Sequence, residues 1–245
     1  MFHRFTALSS PRHFYAIASA WLPWLSVLTA LGFAVGLYWG LVVAPPDYQQ
    51  GEAYRIIYVH VPSAWLSLMV YTVMAGAGLV ALVWHVKLAE IAVYECAVLG
   101  AWFTALALGT GMLWGKPMWG TWWQWGDARM LSELILLFLY IGVLGLHNAF
   151  ADSRKGARVA AVLALAGIVN IPIIHYSVEW WNTLHQGATV TRFDKPAAHS
   201  SMLWPLLFMG TMFILYFSTV LLARIRVRIL EQEADRQWAE EVRRG

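Results

Sequence analysis

The sequence predicts an all-α, polytopic integral membrane protein, a single domain over residues 1–245 with six transmembrane helices and both termini in the cytoplasm. Of its 245 residues, 60% are hydrophobic and 13% charged, and mean hydropathy is +0.56. Six apolar runs reach the length of about 20 residues that a bilayer core requires. One soluble core of this chain length would not bury so much apolar surface. The single cysteine, Cys96, excludes a disulfide framework, a four-cysteine iron–sulfur site and a Cys-x-x-Cys-His haem attachment sequence. A net charge of +3 fits the basic loops of a membrane protein better than a nucleic-acid surface.

The apolar runs cover residues 21–43, 63–84, 95–114, 131–150, 159–176 and 202–223. The first, which follows Arg4 and Arg12, is too long for a signal-peptide core and reads as a retained helix. Its Gly32, Gly36 and Gly40 recur every four residues, a spacing that permits close helix contact. Pro62 suits the first position of the second helix, which places His60 just ahead of that helix. The third run leads into a tryptophan-rich loop, 114–129, and Asp127 stands where a short carboxylate can cap the fourth helix. Segments 85–94 and 151–158 are short connectors. Ser177 to Gly187 is expected to form a short interfacial helix with Trp181 and His185 on one face. Beyond the sixth run, 224–245 reads as a solvated, charged cytoplasmic tail.

Orientation follows from Lys and Arg. Arg55, Lys116, Arg129, Arg192 and Lys195 lie on one side, and the other twelve of the 17 basic residues lie with the termini. The positive-inside rule makes the terminal side cytoplasmic, so the loops between helices 1 and 2, 3 and 4, and 5 and 6 face outward. Those loops carry most of the chemistry.

Trp114, Trp119, Trp122, Trp123 and Trp125 bring five of the 15 tryptophans into one outward segment. One or two would serve as boundary anchors. Five offer a shelf of rigid apolar planes for a flat amphipathic ligand, with haem, quinone, lipid headgroup and sugar all open on composition. Arg129, Lys116 and Arg55 add positive charge that suits an anionic ligand. Asp127 has two readings, as a helix cap and as a ligand contact. The outward His60 and His185 are candidates to hold an iron porphyrin axially, against the ordinary alternative of hydrogen-bonded surface histidines.

Trp119-Gly120-Thr121-Trp122-Trp123-Gln124-Trp125 followed by Asp127-Ala128-Arg129 resembles the WWD signature of haem-handling proteins. Ala44 to Gly51, Tyr54 to Pro62 and Asn170 to Gly187 extend the likeness to the CcmC family of bacterial cytochrome c maturation. The resemblance implies non-covalently held haem b at the periplasmic face of the inner membrane, with His60 and His185 as axial ligands. It also implies presentation of that haem to the chaperone CcmE, together with CcmA, CcmB and CcmD. The usual pattern runs Trp directly into Asp-Ala-Arg and then Leu-Thr-Ser. Here Gly126 intervenes and Met130-Leu131 replaces Leu-Thr; a positive φ at Gly126 is expected to absorb the extra residue as a bulge.

The chain has no Gly-x-x-x-x-Gly-Lys-Ser/Thr loop, so ATP hydrolysis falls to a partner and the chain is expected not to be an enzyme. A haem transporter is the alternative from another class, but Glu133 and Asn170 do not form a charged midplane path. A membrane haem or quinone redox protein is the other. It would favour histidine pairs inside the bundle rather than at its boundary.

Overall fold

The computed structural model describes residues 10–185 and 198–244. Within these, six helical stretches are long and apolar enough to cross a membrane: Pro11–Val43, Glu52–Trp84, Lys87–Trp119, Ala128–Asn148, Ser153–Trp180 and Ser200–Gln232. Each contains the greater part of one of the six apolar runs. Most extend beyond it, because a helix continues into the headgroup layer as long as its backbone stays paired. The expected Arg4, Gln186, Gly187, Arg192 and Lys195 features lie outside the described residues.

Helix α1, Pro11–Tyr38, starts with proline at N1 and widens into a π-helical turn over Trp39–Val43. A 3-10 turn, Glu52–Ile56, leads into α2, Ile57–Trp84, which ends at His85 in the left-handed conformation. Only His85 and Val86 separate it from α3, Lys87–Trp119, so the expected connector over 85–94 is mostly helix. Gly120, at φ 75°, stops α3. Asp127 caps α4, Ala128–Asn148, and Asp152 caps α5, Ser153–Ala166. A 3-10 turn at Gly167–Val169 joins α5 to α6, Asn170–Trp180. The last span is α7, Ser200–Gln232, followed by the short α8, Gln237–Arg244.

Helices α2 and α3 form the central antiparallel pair, with α1 and α7 on one flank and α4, α5 and α6 on the other. The core between them is built on Tyr58, Tyr71, Met74, Cys96, Leu136 and Tyr140, all essentially without exposure. Tyr140 Oη donates to the Ser67 carbonyl at 2.7 Å, which ties α4 to α2 through the interior. The small-residue face of α1 does what its spacing suggests. Gly32 and Gly36 meet Met212 and Met209 of α7, and Gly40 meets the Tyr58 ring. The opposite face of α1, with Trp21, Trp24, Leu31 and Tyr38, is exposed.

The charged tail departs from expectation. Helix α7 carries on through Arg224 and Arg228, which lie 2.6 and 3.5 Å from the buried Glu95 carboxylate of α3. Ile225 and Ile229 pack on Ile91, and Trp238 of α8 returns to Phe14 and Tyr15 of α1. Alternating apolar residues in a charged helix thus make the tail part of the bundle rather than a solvated extension.

Candidate functional site

At the end of the bundle where α2 begins and α3 ends, a partly enclosed pocket opens between α2, α3, α4, α6 and the non-helical stretch after α6. It holds about 500 Å³ counting its open mouth and is lined by His60, Ala64, Leu68, Ala107, Leu108, Gly111, Trp119, Arg129, Met130, Glu133, Ile174 and His185. The walls are mainly apolar. Two imidazoles, one guanidinium and one carboxylate converge on them.

His60 is not ahead of α2, as its sequence neighbours suggest, but inside it, because the helix already starts at Ile57. Pro62 therefore sits within the helix, where its missing N–H withholds the usual bond to the Tyr58 carbonyl. His60 Nδ1 lies 3.0 Å from Thr110 Oγ1 of α3. Trp114, one helical turn beyond Thr110 and on the same face, meets the imidazole edge-on with centroids 5.6 Å apart. Trp114 is held in turn by Gln50, whose Oε1 accepts from the indole Nε1 at 2.9 Å. Gln50 is presented by a turn in which Asp47 Oδ1 accepts the Gln49 and Gln50 amides and Gly51 has φ 57°.

His185 arrives differently. The expected helix over Ser177 to Gly187 stops at Trp180, and Trp181 is extended at φ −133°, ψ 156°, so Trp181 and His185 share no helical face. Asp127 holds the extended stretch instead. Its Oδ1 accepts from Met130 N at 2.9 Å as the cap of α4, while its Oδ2 accepts from Leu184 N at 2.7 Å. The same Oδ2 is 3.5 Å from His185 Nδ1. Burial would raise the Asp127 pKa, but the His185 imidazole and the Met130 and Leu184 amides outweigh it and hold the carboxyl at about 2. Trp119 covers the His185 ring at 5.2 Å between centroids.

The five tryptophans are not one shelf in one loop. Trp114 and Trp119 belong to α3; one packs behind His60 and the other lines the pocket over His185. Trp122 and Trp125 are exposed at 51% and 72%, and Trp123 lies edge-on to Trp125 with its Nε1 buried and unpaired among the described residues. Gly126 does not take positive φ; the Asp127 amide bonds to the Gln124 carbonyl at 3.1 Å, and that turn absorbs the residue.

Of the expected cations, only Arg129 reaches the pocket. Arg55 donates to the Gly40 and Ala44 carbonyls at 3.2 and 2.6 Å and pairs with Glu52, closing the end of α1. Lys116 caps α3 through the Gly120 carbonyl. Both cations satisfy carbonyls left over at helix C-termini, where positive charge is favoured.

A family model for CcmC, described as Heme exporter protein C, matches residues 4–240. The chain belongs to the CcmC family. It is 50% identical to the Heme exporter protein C of Escherichia coli K12 over 236 residues, 96% of this chain and 94% of that one. The Haemophilus influenzae protein of the same name is 48% identical over 230 residues, 94% and 93% of the two chains. A putative cytochrome c biosynthesis ccmC-like mitochondrial protein of Marchantia polymorpha is 47% identical over 173 residues, covering 71% of this chain and 72% of that one.

The matched CcmC region contains every wall of the pocket, and the structure adds three residues that the sequence did not mark for function, one lining the pocket and two behind it. Glu133 stands one turn after Arg129 on α4, lines the pocket, and leaves Oε1 without a hydrogen-bond partner among the described residues. Thr110 and Gln50 act one step back, on His60 and on Trp114. The signal for Thr110 is its four-residue spacing from Trp114; nothing local marks Gln50. Among the described residues, no group of three or more His, Cys, Asp or Glu is arranged to hold a bare metal ion. In this CcmC-family chain the two imidazoles suit a metal whose remaining ligands come with it.

Proposed function

We propose that this chain holds haem as cargo in the pocket and presents it to the periplasmic chaperone CcmE for cytochrome c maturation, working with CcmA, CcmB and CcmD. The observation that carries the reading is the convergence of His60 and His185, from separate spans, on one mainly apolar pocket that also contains Arg129. Two imidazoles suit the axial positions of a non-covalent haem b, and the Arg129 guanidinium suits a propionate. Trp119 provides an apolar plane against the macrocycle, and the exposed Trp122 and Trp125 give the site an aromatic rim. The family's relatives carry haem export and cytochrome c biosynthesis in their names.

Delivery from one face is favoured over passage through the bundle. His60, Thr110, Trp119, Arg129 and Asp127 all lie at the same end of their helices, whereas Glu95, toward the other end, is paired with Arg224. By the positive-inside rule the pocket end is periplasmic in a bacterial inner membrane and both termini are cytoplasmic. The chain itself contributes binding and orientation; ATP hydrolysis belongs to the partner subunits.

The test is the absorption spectrum of the purified, haem-loaded protein. The wild-type chain is expected to give a low-spin, bis-imidazole spectrum, and His60→Ala and His185→Ala are each expected to lose it. Unchanged low-spin spectra in both variants would falsify the axial assignment. Gly111→Ala provides a graded version, since its Cβ would stand 3.1 Å from His60 Cε1 and push the ring by a few tenths of an ångström. An overpacking cost of about 1 kcal/mol is expected there, with a partial loss of the low-spin form.

A further inference from the structure

The Nδ1 atoms of the two pocket histidines face oxygens of different charge, the Thr110 hydroxyl at hydrogen-bond distance and the Asp127 carboxylate at 3.5 Å. The Thr110 hydroxyl donates its one proton to a carbonyl of its own helix, Leu106 O at 2.6 Å, with Ala107 O at 3.2 Å as the second choice. Its oxygen is therefore the acceptor in the 3.0 Å contact with His60, which places the proton on His60 Nδ1 and leaves the Nε2 lone pair free. His185 Nδ1 faces Asp127 Oδ2 at 3.5 Å, beyond a hydrogen bond, and the two oxygens of that buried carboxylate already accept the Met130 and Leu184 amides. An acceptor-only oxygen facing Nδ1 favours the Nδ1–H tautomer of His185 with Nε2 free. No hydrogen bond engages either Nε2 among the described residues.

The acceptors differ in charge. An anionic oxygen behind an imidazole N–H raises the electron density at the opposite nitrogen and makes it a stronger ligand; a neutral hydroxyl does so much less. Burial accentuates the difference, because the Asp127 field is poorly screened by water. Backbone placement alone would argue the other way, since His60 is carried by a helix and His185 by an extended stretch. That stretch is pinned, however, by the Leu184 amide on the same carboxylate.

We propose that Thr110 is a positioning residue whose neutral hydroxyl gives His60 only modest support as the exchangeable axial ligand, while Asp127 makes His185 the retained one, so that an incoming ligand displaces His60 first. The proposal rests on the haem reading above. In the exchange the iron–Nε2 bond to His60 breaks as the lone pair of the incoming ligand forms its own bond to iron. The proton stays on His60 Nδ1 and the iron does not change oxidation state.

Carbon monoxide added to the reduced, haem-loaded full-length protein reads the order directly, because the resulting complex keeps only one histidine. The C–O stretching frequency is expected to shift in Asp127→Asn and to stay put in Thr110→Val. The rate of carbon monoxide binding, limited by loss of the native ligand, is expected to rise by about tenfold or more in Thr110→Val, the scale on which outer-shell partners act. Thr110→Ser, which keeps the hydroxyl, is expected to restore the wild-type rate. A stretch that responds to Thr110→Val and not to Asp127→Asn would mean that His60 is the retained ligand, and an unchanged rate in Thr110→Val would remove the role of Thr110. Either outcome overturns the proposal while the wild-type low-spin spectrum leaves the haem reading standing. A wild-type protein with no low-spin haem would end both.

Discussion

Asp127→Ala is expected to destabilise the pocket end of the bundle by about 2–4 kcal/mol and to release His185 from the pocket. The carboxylate is 2% exposed and serves two elements that are far apart in sequence. Losing a side-chain cap of α4 costs about 1 kcal/mol. Leaving the Leu184 amide without its acceptor costs about 1–3 kcal/mol more where water cannot replace it. Thermal unfolding in detergent measures the first consequence. Haem retention measures the second and is expected to fall to the level of His185→Ala, with little further loss in the double variant, because both changes remove the same ligand. Full additivity of the two losses would show that Asp127 does not act through His185.

Asp127 also sets a pH dependence whose sign is fixed. Its folded pKa of about 2 lies below the ordinary value of 3.8, so the unfolded chain binds the proton more readily. The stabilisation is complete above about pH 4 and is lost as the pH falls through the folded value near 2. Acid unfolding over that window is expected to be blunted in Asp127→Asn, which has no proton to take up.

The other large effect lies in the middle of the bundle. Gly100→Ala is expected to cost about 3 kcal/mol, at the upper end of ordinary overpacking, because its Cβ would overlap the Tyr140 ring. Tyr140 has nowhere to go: it is fully buried, its hydroxyl is committed to Ser67 O, and its ring stands edge-on to Tyr71 at 5.1 Å. Shortening the side chain at 140 should relieve the clash, so Gly100→Ala with Tyr140→Leu is expected to melt above the sum of the two single losses. Gly109→Ala, on the same helix with open space around its Cβ, is the control and should be neutral or slightly stabilising. Equal melting shifts at positions 100 and 109 would show that the Tyr140 contact is not what sets the cost.

Much of the pocket's chemistry is legible as residue types. His60, His185, Trp119 and Arg129 are recognisable from the outward loops alone, and the Asp127 cap follows from a short carboxylate before an apolar run. Their partners are less visible. Arg55 and Arg129 look alike in sequence, yet one ends on the carbonyls that close α1 and the other enters the pocket. The difference is which helix ends lie within reach of a guanidinium. Glu133 reads as an isolated charge because it stands in a mostly apolar run, while the pocket it lines is closed by His60 of α2 and His185 after α6.

The sequence by itself determined that this is a six-helix membrane chain, where most of its helices lie, and which face of α1 packs. Those properties depend on composition and on periods of three to four residues, which act along one segment at a time. It also determined the family, because the aromatic and histidine motifs survive as strings of letters. Only the tertiary structure decided that five tryptophans divide into distinct tasks, that the tail packs back on the bundle, and that Asp127 joins α4 to His185. Thr110 behind His60 and Asp127 behind His185 were likewise its decision. Such pairings join residues 50 or more positions apart, and no local propensity encodes which distant donor meets which acceptor.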